Sequence, residues 1–291
     1  MEASVGLARC PGTCGEWVQG AQDGIPFLVD CPIDRYSEVR VKLSASESSW
    51  NIPPTKEKVS RVLNLIQTER KFTLAGEMTF CSELPVGKGM ASSTADIVAA
   101  SAATLLALGE VPNAQELAKL ALTIEPSDSV MFPGITRLNH VHGTYFETLG
   151  PAVPAQFLAL DWGGSVDTLL FNSRQDLAPH YRRYESEIRQ ALELVSEGVH
   201  SADLEKLAQG GTISARCNLD INPKPYFSQF HAWVVKNGGL GVITAHSGTL
   251  LAAVFPPDQH LDNLLLEAKE RFNPAFIECL QARNGGVEWP G

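Results

Sequence analysis

The chain reads as an α+β protein, because strands and helices alternate along it with short, antiparallel-sized connections rather than the regular crossovers of a βαβ array. Three segments carry that reading. Residues 37–43 set Val39, Val41 and Leu43 between Glu38, Arg40 and Lys42, the period of two of a half-buried strand. Residues 56–69 set Val59, Val62, Leu63 and Ile66 at helical spacing. A glycine-rich stretch, Pro85-Val86-Gly87-Lys88-Gly89, opens an apolar helix running to about Leu108, where Gly109 supplies a stop.

The remaining elements follow in order. Residues 4–9 form a short strand broken at Pro11-Gly12-Thr13-Cys14-Gly15, and residues 25–29 form a second that leads into Cys31-Pro32. Extended character returns at 72–80. A helix over 113–124 starts from an Asn113 cap with Glu116 at the third following position. Residues 143–154 read as an irregular crossing between two halves, punctuated by Gly150-Pro151. Residues 157–161 and 168–171 are strand candidates around Trp162-Gly163-Gly164, and 181–196, 202–217 and 225–236 are helical. Two short strands, 240–245 and 249–255, precede a last helix at 260–272. No repeat or low-complexity linker interrupts this order.

Composition bounds the function. The 291 residues suffice for one large or two medium domains, and 44% hydrophobic with 19% charged residues is the balance of a soluble globular protein. The richest apolar stretch, 97–108, falls short of a membrane span, and Met1-Glu2-Ala3-Ser4 lacks the basic start of a signal peptide, so a cytoplasmic protein is expected. A net charge of −10 argues against a nucleic-acid surface but allows one anionic ligand held by local donors. Of the six cysteines none forms a CxxC pair. Zinc held by Cys10, Cys14, His140 and His142 is conceivable from residue types; reduced, partly buried thiols fit the spacings better.

The glycine-rich stretch has a clear physical use. Glycines let backbone approach an anion, and a helix N-terminus offers unpaired N–H groups with a favourable dipole. Lys88 adds a point charge, and Ser92, Ser93 and Thr94 add hydroxyls for phosphate or Mg²⁺. The competing reading is a tight strand-to-helix turn with Ser92 as an ordinary N-cap. No segment fits the Walker A spacing. A dinucleotide fingerprint fails because Ser92 stands at the third glycine and Pro85 interrupts the preceding strand.

The segment resembles the second motif of the GHMP kinases, and the likeness extends along the chain. Cys10-Pro11-Gly12-Thr13-Cys14-Gly15-Glu16 is similar to the family's first motif, by the acceptor substrate. Residues 239–249, Gly-Leu-Gly-Val-Ile-Thr-Ala-His-Ser-Gly-Thr, are similar to the third, although His246-Ser247 replaces its glycine-rich centre. Within the superfamily, the first two motifs and residues 161–168 look most like the L-threonine kinases of cobalamin assembly.

The resemblance implies a two-domain GHMP kinase fold: an N-terminal half over 1–150, like ribosomal protein S5 domain 2, and a ferredoxin-like C-terminal half over 151–291. It implies ATP and Mg²⁺ as cofactors, L-threonine as acceptor and O-phospho-L-threonine as product, and it allows a homodimer. Pro85, Gly87, Lys88, Gly89, Met90, Ala91, Ser92, Ser93 and Thr94 would hold the nucleotide, with Lys88 and Asp128 catalytic. Asp128 could equally cap local backbone as a helix-terminal Asp beside Ser and Pro. Ser93 and Glu125 are the metal candidates, and Thr13, Glu16 and Asp128 the acceptor candidates, Glu16 suiting an ammonium group. Arg137, Arg216 and Lys224 are all available for the acceptor carboxylate, with Asn218 and Asp167 as further polar candidates. The adenine would lie near 58–64, and His246 reads as a hydrogen-bonding residue. Alternatives are a kinase for homoserine or a sugar, and a ligand-binding protein without turnover.

Overall fold

The computed structural model describes residues 4–44, 49–71, 73 and 75–290; Phe72 and Leu74 of the extended stretch at 72–80, and the first three residues, lie outside the described residues. The chain opens with two long antiparallel strands, β1 (Val5–Gln22) and β2 (Ile25–Leu43), where the sequence predicts three short ones. Residues 11–15 bend β1 instead of ending it. Its pairing with β2 slips at Pro11/Thr13, Thr13/Glu16 and Glu16/Val18, and Gly15 takes φ 76° there. Bulges of this kind let a strand absorb breaker residues while re-aiming its side chains.

Next come β3 (Trp50–Asn51), a 3-10 turn (Pro54–Lys56), α1 (Glu57–Arg70) and β4 (Gly76–Ser82). They are followed by α2 (Ser92–Ala107), α3 (Ala114–Ile124), β5 (Ile135–Leu138) and β6 (Phe146–Gly150), so part of the expected irregular crossing is a strand. Asn113 caps α3 as predicted, its side chain accepting from the Glu116 N–H at 2.9 Å. The second half contains β7 (Gln156–Asp161), α4 (Thr168–Asn172), α5 (Leu177–Arg183), α6 (Glu185–Ser201) and α7 (Leu204–Asn218). It ends with α8 (Phe227–Lys236), β8 (Gly241–Thr244), β9 (Leu251–Phe255), α9 (Asp262–Phe272) and β10 (Phe276–Gln281). The predicted strand at 168–171 is therefore a helix. Three apolar residues in a row, Leu169, Leu170 and Phe171, carry no usable period, and Asp167 caps the turn by accepting from the Leu170 N–H at 3.0 Å.

All strands join one sheet of order β10-β7-β9-β8-β1-β2-β4-β3, with β5 and β6 branching from β2. Within the sheet the link between the halves is narrow, β1 meeting β8 at Glu16 and Thr244, while α6 and α7 of the second half pack against β1. The C-terminal tail reinforces it by returning to the first half, where Glu288 bridges Arg9 and Gly285 bridges Gly134. In the second half both sheet faces are buried. Phe157, Ala159, Ile243, Ala252 and Val254 face the main core, whereas Leu158, Leu160, Val242, Leu251, Ala253 and Phe255 face a second core with Phe230, Trp233 and Phe272. That is why the last strands read as near-continuous apolar runs. Among the described residues no helix is long and apolar enough to cross a membrane.

Trp17 fills the joint between the halves, 1% exposed and 5.8 Å from the Phe157 ring centroid. Replacing it with alanine removes a buried aromatic and leaves a cavity, so Trp17→Ala should lower unfolding free energy by about 3–5 kcal/mol in a urea titration. A change under about 1 kcal/mol would show that the two halves do not depend on this contact.

Candidate active site

The site begins with a helix that has no side-chain cap. Ala91 occupies the N-cap position of α2 with φ 57°, and no side chain accepts from the first turn. Ser92 is thus the first helical residue, not the N-cap. The leading N–H groups are left for a ligand, the arrangement that favours an anion.

Two glycine turns fix the approach to that helix. Gly248, in the turn after β8, lies so close to the loop that an added Cβ would stand 2.4 Å from the Lys88 carbonyl oxygen and 2.5 Å from the Gly89 Cα. Gly89 itself has φ 83° and admits no side chain against Ala245. The Lys88 carbonyl accepts from the Thr249 and Leu250 N–H groups, each at 3.1 Å. From the other side the Val166 N–H donates to the Gly87 carbonyl at 3.3 Å. The third motif therefore supports the loop from behind, and buried Lys224 helps by donating to the Gly248 carbonyl at 2.7 Å.

A cleft runs along this loop. Gly87, Gly89, Met90, Ala91, Ser92, Ser93 and Thr94 line it together with Glu16, Glu125 and Asp128. Pro85, Lys88 and Thr13 do not line it. The Thr13 hydroxyl is taken by the Gly15 and Cys31 carbonyls. The Lys88 ammonium bonds Asp161 at 2.6 Å and the Gly164 carbonyl at 2.9 Å, and Asp161 is fully buried.

Acidic groups dominate the far wall. Asp128 accepts from the Thr94 hydroxyl at 2.9 Å, so the loop after α3 is tied to the first turn of α2. Burial first, and the Glu16 charge second, push the Asp128 carboxyl up to about 7 despite the Thr94 bond. Glu16, 2% exposed, is gripped through Oε2 by the His246 backbone N–H at 2.8 Å and by His246 Nδ1 at 2.9 Å. The opposite ring nitrogen meets the Ser214 hydroxyl at 2.9 Å, so the histidine that departs from the family's third motif serves to aim Glu16.

Ser93 donates its hydroxyl to Glu125, whose other oxygen holds Lys58 at 2.5 Å. These adjacent hard oxygens at a helix N-terminus suit Mg²⁺, which prefers few protein ligands and keeps its waters. Of the cationic candidates none lines the cleft: Arg137 reaches Gln22 at 2.7 Å, Arg216 is exposed, and Lys224 is buried below the turn, where desolvation lowers its pKa to about 7. Asn218 donates weakly to the His246 carbonyl, and Asp167 lines the cleft while capping α4. Cys10, Cys14, His140 and His142 form no metal-ligand cluster among the described residues, and all six cysteines are free.

Sequence reasoning missed Asp30, which lies beside Glu16 and Asp128, and it weighed His140 only as a zinc ligand, whereas the residue lines the cleft with its Nδ1 buried and without a partner. A signal for Asp30 existed: it is a lone charge at the end of the apolar run Phe27-Leu28-Val29.

Comparison with known proteins identifies the family and the fold. Residues 57–132 match the N-terminal domain of the GHMP kinases. The chain is 32% identical to the L-threonine kinase of Salmonella typhimurium (strain LT2), covering 98% of this chain and 96% of that protein. It is 30% identical to the L-threonine kinase of Citrobacter freundii, covering 97% and 99% respectively. In fold it matches the homoserine kinase of Cytophaga hutchinsonii with a TM-score of 0.75 over 99% of this chain and 98% of that one, at 15% identity.

Lys88→Met separates the two uses of this lysine. Bound to Asp161, the ammonium neutralises a buried carboxylate, so its loss should cost about 3–5 kcal/mol of stability. Unchanged stability with weakened nucleotide binding would instead place the ammonium on the phosphates.

Proposed function

The chain belongs to the GHMP kinases, and on that premise we propose how its residues divide the chemistry. It is an ATP-dependent phosphotransferase acting on a small-molecule hydroxyl, and the acceptor is L-threonine. In this reading O-phospho-L-threonine is the product and feeds the aminopropanol linker of cobalamin, and the boundary between the halves lies near residue 150. What supports the scheme best is that Asp128 and Glu16 share one cleft with the uncapped N-terminus of α2.

The N–H groups at the start of α2, with the Ser92 hydroxyl, bind the phosphates and hold the terminal one toward Asp128. Ser93 and Glu125 would hold Mg²⁺, which would neutralise phosphate charge. Glu16 takes the ammonium of threonine, which sets the side-chain hydroxyl beside Asp128. The hydroxyl oxygen bonds to the γ-phosphorus, the bond from that phosphorus to the β-phosphate oxygen breaks, and Asp128 accepts the hydroxyl proton. A carboxyl poised near neutrality suits a base working at that pH. Thr94 keeps Asp128 aimed, and Lys88 with Asp161 keeps the loop in place.

ADP formation from Mg-ATP, with threonine, serine, homoserine and galactose offered in parallel, tests the acceptor; threonine should lead clearly, and preference for another alcohol would reassign it. In the same assay Asp128→Asn should lower kcat at least about 100-fold with ATP binding retained, and near-normal turnover would remove Asp128 from catalysis. The pH profile carries its own sign. Asp128 accepts a proton only when ionised, so kcat should rise as pH rises through about 7 and level off above it. A profile flat from pH 5 to 9 would contradict the base role.

A further inference from the structure

Glu16, Asp30 and Asp128 converge from β1, β2 and the loop after α3, with one oxygen of each within 4.8 Å of the others. Asp30 is the deepest of them, 1% exposed and behind the cleft wall. Its two oxygens have different surroundings. Oδ2 accepts from the Ser129 hydroxyl at 2.8 Å and from the Ser129 backbone N–H, which fixes the residue next to Asp128. Oδ1 is buried with no hydrogen-bond partner among the described residues.

An ionised Asp30 would therefore carry buried charge with one oxygen unpaired and two carboxylates as neighbours. Such a charge is costly, and adjacent carboxylates do not all ionise together. The titratable groups around the cluster do not relieve it. His246 directs its bonds to Glu16, and Lys224 directs its ammonium to Gly248. Glu125 adds a further negative charge near Asp128. Tyr181 and the thiols of Cys10, Cys14 and Cys31 lie within electrostatic reach, and none of these groups donates a hydrogen bond to Asp30.

We propose that Asp30 stores a proton for the acceptor pocket: it is the protonated member of the three carboxyls in the empty enzyme, and the ammonium of an amino-alcohol acceptor, entering beside Glu16, expels that proton. Burial, aided by the charges of Asp128 and Glu16, raises the Asp30 pKa well above the carboxylate range, in the direction this requires. The step balances simply. The Asp30 O–H bond breaks, its electron pair stays on the carboxylate, and the proton leaves to solvent. Asp30 does not reach the cleft, so it is a positioning residue that acts through Glu16 and Asp128. Binding of the cation and ionisation of the cluster are then one linked equilibrium.

The inference rests on an amino-acid acceptor, and the test separates the two ideas. L-threonine is titrated calorimetrically into the full chain with Mg²⁺ and a non-hydrolysable ATP analogue at pH 7, in PIPES and in Tris. The dependence of heat on buffer ionisation enthalpy counts protons. Wild type should release protons on binding threonine, and Asp30→Asn, which keeps an acceptor for Ser129, should lose most of that release. Threonine binding without proton release, or equal release from Asp30→Asn, overturns the proposal while leaving the kinase reading intact. Release triggered by Mg²⁺ alone also overturns it. If Asp30→Asn does not fold, the infrared difference spectrum of wild type decides: a protonated-carboxyl C=O band must disappear on adding threonine, and its persistence overturns the proposal. No threonine binding and no ADP formation would overturn the acceptor reading as well.

Discussion

The contact between two stretches of backbone, Gly248 of the second half against Lys88-Gly89 of the first, is the constraint on which the site depends. No side chain fits between them. The closeness gives the phosphate loop a backing that does not rely on rotamers, because the Lys88 carbonyl is held by two N–H groups from the turn beyond it. With the loop fixed, the first turn of α2 can stay without a cap of its own. An uncapped helix start would be a liability elsewhere; here its free donors are the feature that a phosphate requires.

The same joint aims the acidic side of the cleft. Glu16 sits where β1 meets β8, the single register pair between those strands, and His246 follows directly from β8 to hold its carboxylate. Catalytic geometry and the joining of the two halves are thus one problem for this sequence. In the proposed scheme the acceptor side of the cleft relies on the bulged middle of β1, which carries Glu16. Crowding of carboxylates there costs stability, and it is what moves Asp128 toward a useful proton affinity.

Much of this was legible in the residues. The Asn113–Glu116 cap, the helical spacing of Val59, Val62, Leu63 and Ile66, and the glycine loop before α2 each follow from local rules, and the structure has them. Local rules failed where a distant partner decides. Residues 11–15 look like a strand breaker until pairing with β2 turns them into bulges. β10 escaped notice because Phe276-Ile277-Glu278-Cys279-Leu280-Gln281 lacks a clean alternation, and only its pairing with β7 makes it a strand. Lys88 reads as a phosphate ligand from its loop alone, and its bond to Asp161, 73 residues on, has no local signal. Asp30 has no motif at all; its meaning comes from two other carboxylates brought beside it by the fold.

In the proposed reaction the loop and the carboxylates bring a threonine hydroxyl to Asp128 and the terminal phosphate together. A crystal structure of the chain with Mg²⁺, a non-hydrolysable ATP analogue and L-threonine measures this most directly. The threonine hydroxyl should lie within hydrogen-bond distance of the Asp128 carboxylate and in line with the γ-phosphorus, with its ammonium at Glu16. Threonine bound away from Asp128, or nucleotide phosphates away from the first turn of α2, would contradict it.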